Sequence, residues 1–392
     1  MLSLLIALGL AASDSVPRPA AAQPAVVVHY QPALPIVALR LSLLADDPPG
    51  YAGAGHLLQH LLLPQLEERM ARVGGRVQAV RTSDAVVYTV VGPAVELEYL
   101  SETLRLTLRA PAAGTGETLR ALAALGQERG AEREIAGAFV RTALRGVLFP
   151  GDLSAAGTDA AAERLATARL ADVWGAMYSP ERISIVAVGD VRMDDVRRAF
   201  RDLPAAGSVR LESLADTVGP LAGAAPQATR GWVARGWNAS PLDPAAVTVT
   251  ARLLRNQLRR RMSRSAVEVE HWWTHHGQAV ALVVATPDTL MPTARRTVEG
   301  ALAAVATALD EAQVRDAAAS VRREMLFYAR TPERMAEVLG AFGDRGLDSE
   351  ASQRFFAAVD RVTPDDVRAV LAALRETEPA IIEVPPQKLE AN

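Results

Sequence analysis

Leu170-Ala171-Asp172-Val173-Trp174, followed by Pro180 and by Ile183 to Val188, has a counterpart in Pro364-Asp365-Asp366-Val367-Arg368, Pro379 and Ile381 to Val384. Each copy reads as an amphipathic helix, a proline turn and a β-branched strand. The copies begin at residues 170 and 364, a separation of 194, which is the length of a domain rather than of a short repeat. The chain is therefore expected to hold two duplicated α+β domains. Residues 219–229, rich in Pro, Gly and Ala and without helical or strand periodicity, read as the linker between domains at 23–218 and 230–392.

Working outward, the first copy is preceded by strand-like runs at Val26-Val27-Val28 and at Ile36 to Leu43, with Asp46 to Gly50 as a turn into a helix. Gly74-Gly75 ends that helix, and Arg76 to Val80 with Ala85 to Val91 form a valine-rich hairpin. Two helical blocks follow, near 94–108 and 117–146, before the helix at 170–178. Each half should thus be a mixed or antiparallel sheet with helices on one face.

Composition narrows the function. Of 392 residues, 49% are hydrophobic and 22% charged, enough apolar mass for two cores. A net charge of -3 supplies no field to gather nucleic acid or anionic lipid. Every basic residue except Lys388 is arginine, and there is no cysteine. Disulfides, thiolate metal sites and cysteine nucleophiles are excluded.

The first 22 residues read as an export signal. Leu2 to Ala12 is an uncharged run too short to span a bilayer, and Ala20-Ala21-Ala22 offers a cleavage site. No later segment has the length of uncharged apolar sequence that a membrane span needs. The mature chain is expected to start near Gln23 and to be periplasmic or extracellular, with no membrane span.

The helix after the Asp46–Gly50 turn carries Gly55-His56-Leu57-Leu58-Gln59-His60. His56 and His60 are four apart on one face, where two imidazoles can bind one zinc ion. The run differs at one position from His-x-x-Glu-His, in which the glutamate takes a proton from zinc-bound water. Gln59 stands in its place, and a carboxamide has no basic site near neutral pH. It is either a vestige or a hydrogen-bonding group for bound water or peptide. The segment predicts a site able to hold zinc and poorly equipped to use it.

Together these residues resemble the insulinase/pitrilysin zinc metallopeptidases. The resemblance covers about residues 26 to 386 and rests on Leu34-Pro35, Gly53 through His60, Gly74-Gly75 to Ala79, Thr82-Ser83-Asp84, Tyr88, Tyr178-Ser179-Pro180, Val188-Gly189-Asp190 and Val362 to Val367. It implies a third zinc ligand, a glutamate in the run Gln127 to Ile135. Glu134, 74 residues after His60, aligns best, with Glu128 and Glu132 as alternatives. The acidic run can equally be a solvated helix face paired with Arg129 and Arg133. The resemblance also implies an edge strand after Gly75 that pairs with substrate backbone, with Gln78 where the family has Asn, ahead of Ala79.

Departures accumulate in the second half. The family's Arg, followed seven residues later by a Tyr that steadies the tetrahedral intermediate, maps to Arg259 and Ala266, and no tyrosine lies between Tyr178 and Tyr328. The oxyanion partner is missing with the base. Glu270 to His276 holds three of the six histidines and two of the five tryptophans. As a strand it would place His271, Trp273 and His275 on one face and His276 on the other.

These readings imply an exported, catalytically impaired peptidase homologue that binds peptide or unfolded polypeptide, or supports an active sister subunit as a heterodimer or homodimer. The alternative is an active zinc metalloendopeptidase with a substitute base, for example Glu67 or Glu68.

Overall fold

A computed structural model describes residues 24–150, 155–204, 211 and 225–387. The export signal at 1–22, residues 219–224 of the linker and Lys388 lie outside the described residues.

The first half runs β1 (Ala25–Tyr30), β2 (Ile36–Leu44), α1 (Ala54–Ala71), β3 (Arg76–Arg81), β4 (Ala85–Pro93), α2 (Leu97–Arg105), α3 (Thr115–Glu134), α4 (Ala136–Leu148), α5 (Asp159–Thr167), α6 (Leu170–Met177), β5 (Ile183–Gly189) and α7 (Met193–Ala199). The second runs β6 (Gly231–Asn238), α8 (Pro244–Arg261), β7 (Ala266–Thr274), β8 (Gly277–Thr286), α9 (Met291–Glu299), α10 (Ala301–Ala308), α11 (Glu311–Tyr328), α12 (Pro332–Gly343), α13 (Ala351–Val359), α14 (Pro364–Glu376) and β9 (Ala380–Val384). The strand order is β1-β5-β2-β4-β3 in one sheet and β7-β8-β6-β9 in the other. Read as β5-β2-β4-β3 against β9-β6-β8-β7, the two sheets share one topology, antiparallel at every step. β1 is the exception, an added strand parallel to β5. The duplicated helix and strand read from sequence are α6 with β5 and α14 with β9.

The inner strands β2, β4 and β5 are buried along almost their whole length, so both faces of this sheet must be covered. Helices of its own half, α1, α2 and α6 among them, bury Leu57, Leu66, Leu100, Leu104 and Val173 against one face. The other face takes α12 of the second half, whose Ala336, Met335 and Leu339 pack on Ala38, Val186 and Val188. In return α4 of the first half lays Ala136, Val140 and Leu144 on Ala234, Ala281 and Val283 of the second sheet. Helices on one face therefore describes each half taken alone. In the whole chain the halves exchange a covering helix.

That exchange depends on a break that a single helical block at 117–146 does not anticipate. Ile135, with extended φ −87° and ψ 108°, separates α3 from α4, freeing α4 to leave its own half. The close seat of α12 depends on small residues: a Cβ at Gly340 would collide with the Arg40 guanidinium, and one at Gly343 would lie 2.5 Å from Ser184 Oγ. Arg40, on β2, is itself tied to α12. Its Nη1 and Nη2 donate to Oδ1 and Oδ2 of Asp344 at 2.9 and 2.5 Å, with both side chains buried.

Candidate metal centre

The site is built on α1. Gly53 precedes the helix with φ +90°, a left-handed conformation that favours glycine. Having no side chain to cap the helix, it is served by Asp47, whose two carboxylate oxygens accept from Gly53 N at 2.7 Å and Gly55 N at 2.8 Å. A carboxylate at this end also suits the helix dipole. Gly55 is fixed by space, since a Cβ there would lie 2.8 Å from Val86 Cγ2. One turn of the helix then stacks His56 and His60, their ring centroids 4.8 Å apart.

The carboxylate they meet belongs to Glu128 on α3. Its Oε2 is 3.4 Å from His56 Nε2 and its Oε1 is 3.2 Å from His60 Nε2. Glu134 is not in this group: six residues further along, it is turned about 120° around the helix and roughly 9 Å along its axis, and it is exposed. Glu132 is half-buried and also outside the trio. The register follows from the buried stripe of α3, Thr118, Ala121, Leu122 and Leu125. Glu128 lies beside that stripe, and Glu134 is opposite Leu125. Arg129 and Arg133, the expected partners of an idle acidic face, bond Asp159 instead, at 3.0 and 3.1 Å. They leave Glu128 to the histidines.

The donor set fits zinc. Ligand atoms at zinc bond lengths of about 2.0–2.1 Å stand roughly 3.3–3.4 Å apart along the edges of a tetrahedron, and each carboxylate oxygen of Glu128 lies at about that distance from one imidazole. Among the described residues His60 Nε2 is buried without a hydrogen bond, as suits an atom whose lone pair is kept for a cation. Burial, opposed in part by the Glu128 carboxylate and reinforced by His60 and Arg81, holds the His56 imidazole below its usual pKa. A neutral imidazole is the form that binds metal. Arg81, whose guanidinium reaches Asp47 Oδ1 at 3.6 Å, is a cation near the site and weakens it.

Gln59 is buried between the histidines. Its Nε2 donates to Ala79 O at 3.1 Å, and its Oε1 has no hydrogen-bond partner among the described residues. The amide orientation follows from the partner, since a carbonyl only accepts. Ala79 belongs to β3, the edge of the first sheet. Its neighbours Gln78 and Val80 line a cavity of about 810 Å³ between the halves, closed on the far side by α8, β7, α11 and α12. Gly75 does not line that cavity: its N–H donates to Met70 O at 2.9 Å, and a Cβ would lie 2.8 Å from Val91 O. Turn geometry accounts for it. Glu67 and Glu68 are exposed, and Glu68 pairs with Arg72. They lie about two turns, roughly 10 Å, beyond His60.

In the Glu270–His276 segment, β7 keeps strand alternation only to Thr274. His271 and Trp273 share a face, stacked with ring centroids 5.9 Å apart, and both line the cavity. His275 and His276 do not point to opposite faces. They form the two-residue loop between β7 and β8, with ring centroids 3.7 Å apart.

No protein-family model matches the sequence, and no curated protein matches it. Solved structures do match. A putative M16-like peptidase from Alicyclobacillus acidocaldarius superposes with a TM-score of 0.75 at 16% identity, over 92% of this chain and 96% of that one. A peptidase M16 inactive domain from Pseudomonas fluorescens gives 0.74 at 16% identity, over 93% and 96%. A chain of Complex III2 from Candida albicans, Inz-5 bound, gives 0.73 at 12% identity, over 91% and 93%. The chain has the two-half fold of M16-like peptidases.

Proposed function

We propose that this chain is an exported peptidase homologue that holds zinc at His56, His60 and Glu128 and hydrolyses little or nothing. It binds an extended peptide along β3 or supports an active sister subunit. The observation that carries the reading is Gln59, which occupies the position of a general base with its amide N–H₂ already committed to Ala79 O. A bound zinc would supply Lewis acidity for a carbonyl and lower the pKa of its water. The protein side of proton transfer is what this chain lacks. Gln59 Oε1 can accept a hydrogen bond from water or a peptide N–H and hold it in place, but it cannot carry the proton away.

Peptide binding is supported by the exposed edge of β3 beside the cavity, where an added strand would find main-chain partners. The sister-subunit reading draws on two of the similar folds, an inactive domain in one case and a chain within a larger assembly in the other. Export rests on the apolar run and Ala20-Ala21-Ala22. The test is fluorescence anisotropy of a labelled unstructured peptide, together with turnover by an active relative with and without this chain. Saturable binding, or turnover that rises on mixing, supports the proposal. Absence of both overturns it.

A further inference from the structure

We propose a second metal site, for a divalent cation of the zinc class, at Asp46, His275 and His276, where the two halves meet. His275 Nε2 and His276 Nε2 stand 3.2 and 3.3 Å from Asp46 Oδ1, and the three ligand atoms lie within 4.8 Å of one another. Each of these two contacts is close to the edge of a tetrahedron with bonds of about 2.0–2.1 Å. Two imidazoles with one carboxylate favour zinc and its neighbours over magnesium or calcium, which take oxygen ligands.

The site is held from behind. Asp84, buried on the first half, accepts at Oδ1 from both His275 N (3.0 Å) and His275 Nδ1 (2.8 Å). A carboxylate can only accept here, so Nδ1 carries a proton and Nε2 is the ring nitrogen turned toward Asp46. This is the carboxylate–histidine arrangement that orients metal-bound imidazoles. With Nδ1 engaged by Asp84, Nε2 faces a carboxylate oxygen, a position that a metal ion or a proton fills. The local sequence agrees: a two-residue hairpin loop ordinarily favours Asn-Gly or Asp-Gly, and this one is His-His. Thr274 Oγ1 accepts from His276 N at 3.1 Å, which settles the loop. Asp46 and His276 are open to solvent, so the ion has a route in.

Asp46 follows β2, directly before the Asp47 that caps α1, whereas the histidines belong to the β7–β8 loop. A bound ion would therefore clip the second half to the first beside the entry of the zinc-motif helix, and would stabilise the joined halves by mass action. The experiment uses the full chain in a His56→Ala/His60→Ala background, which removes the first centre. Zinc stoichiometry, the visible spectrum of the cobalt(II)-loaded protein and the zinc dependence of Tm are measured. The expected result is one equivalent of metal, tetrahedral cobalt bands and a Tm that rises with zinc, all lost on adding His276→Ala or Asp46→Asn. Asp84→Asn should weaken affinity by about 10–100-fold and keep the stoichiometry. No metal in the double variant, or equal metal after either added substitution, overturns the proposal. So does a site that binds protons alone, seen as ion pairing without cobalt bands.

Discussion

Replacing Asp344 by alanine probes the joint between the halves. The Asp344 carboxylate takes both Nη atoms of Arg40, and the side chains are only 6% and 5% exposed. Without it the guanidinium keeps one side-chain partner among the described residues, Ser42 Oγ, and stays buried under α12. Breaking a buried pair from one side costs about 3–5 kcal/mol, chiefly because the remaining charge is uncompensated. For a cooperative unit of roughly 150–250 residues, that corresponds to a fall in Tm of about 6–20 °C. The remedy is to remove the charge as well. Arg40→Met with Asp344→Leu should recover most of the loss, since apolar replacement of a buried pair is often neutral or better. Urea unfolding and calorimetry of wild type, the single variant and the double variant decide. A single variant within about 1 kcal/mol of wild type, or a double variant no more stable than the single, refutes the reasoning.

Burial, against the hydrogen bond that His271 Nε2 donates to Gln278 Oε1 and helped by the charge of Arg345, pushes the His271 pKa down to about 4. Above pH 6.5 both folded and unfolded rings are neutral and stability is full. As pH falls from 6.5 toward 4 the unfolded ring gains a proton first, so stability drops by up to about 3 kcal/mol. Urea midpoints from pH 7.5 to 4.5 should show this slope, and His271→Asn should flatten it; an unchanged slope counts against a neutral buried ring. Glu128→Gln should lower zinc affinity at the first centre by roughly 10-fold or more, while Glu134→Gln leaves it alone. Metal titration separates the two, and the reverse order would return the ligand to Glu134. Mass spectrometry of the native protein should find a chain starting near Gln23, and an intact Met1 contradicts export by cleavage.

The duplicated topology was legible in sequence because strands such as Ile183–Gly189 are β-branched runs bounded by turn residues. The exchange of α4 and α12 was not. The stripe Ala136, Val140 and Leu144 identifies an amphipathic helix without naming the sheet it covers, and the Ile135 break has no Pro or Gly at the break itself. His56 and His60 could be read from an i,i+4 spacing that any helix enforces. Choosing among Glu128, Glu132 and Glu134 required the phase of α3, which the stripe Thr118, Ala121, Leu122 and Leu125 would have supplied. The partners of His275 were beyond reach, since Asp84 is 191 residues away in the chain. Extending β7 by two residues past Thr274 placed the two histidines on opposite faces. A two-residue loop instead brings them together.

The most direct test is hydrolysis of a mixed library of unstructured peptides by the zinc-loaded wild-type chain alone. On the proposed reading the general base is missing, a loss of about 10²–10⁴-fold, and so is the oxyanion tyrosine that the family resemblance implies, a further loss of about 10²–10³-fold. Turnover is therefore expected near background, with Gln59→Glu recovering only the first factor. Chelator-sensitive turnover by wild type on the ordinary enzymatic scale, about 1–10³ s⁻¹, would contradict the account.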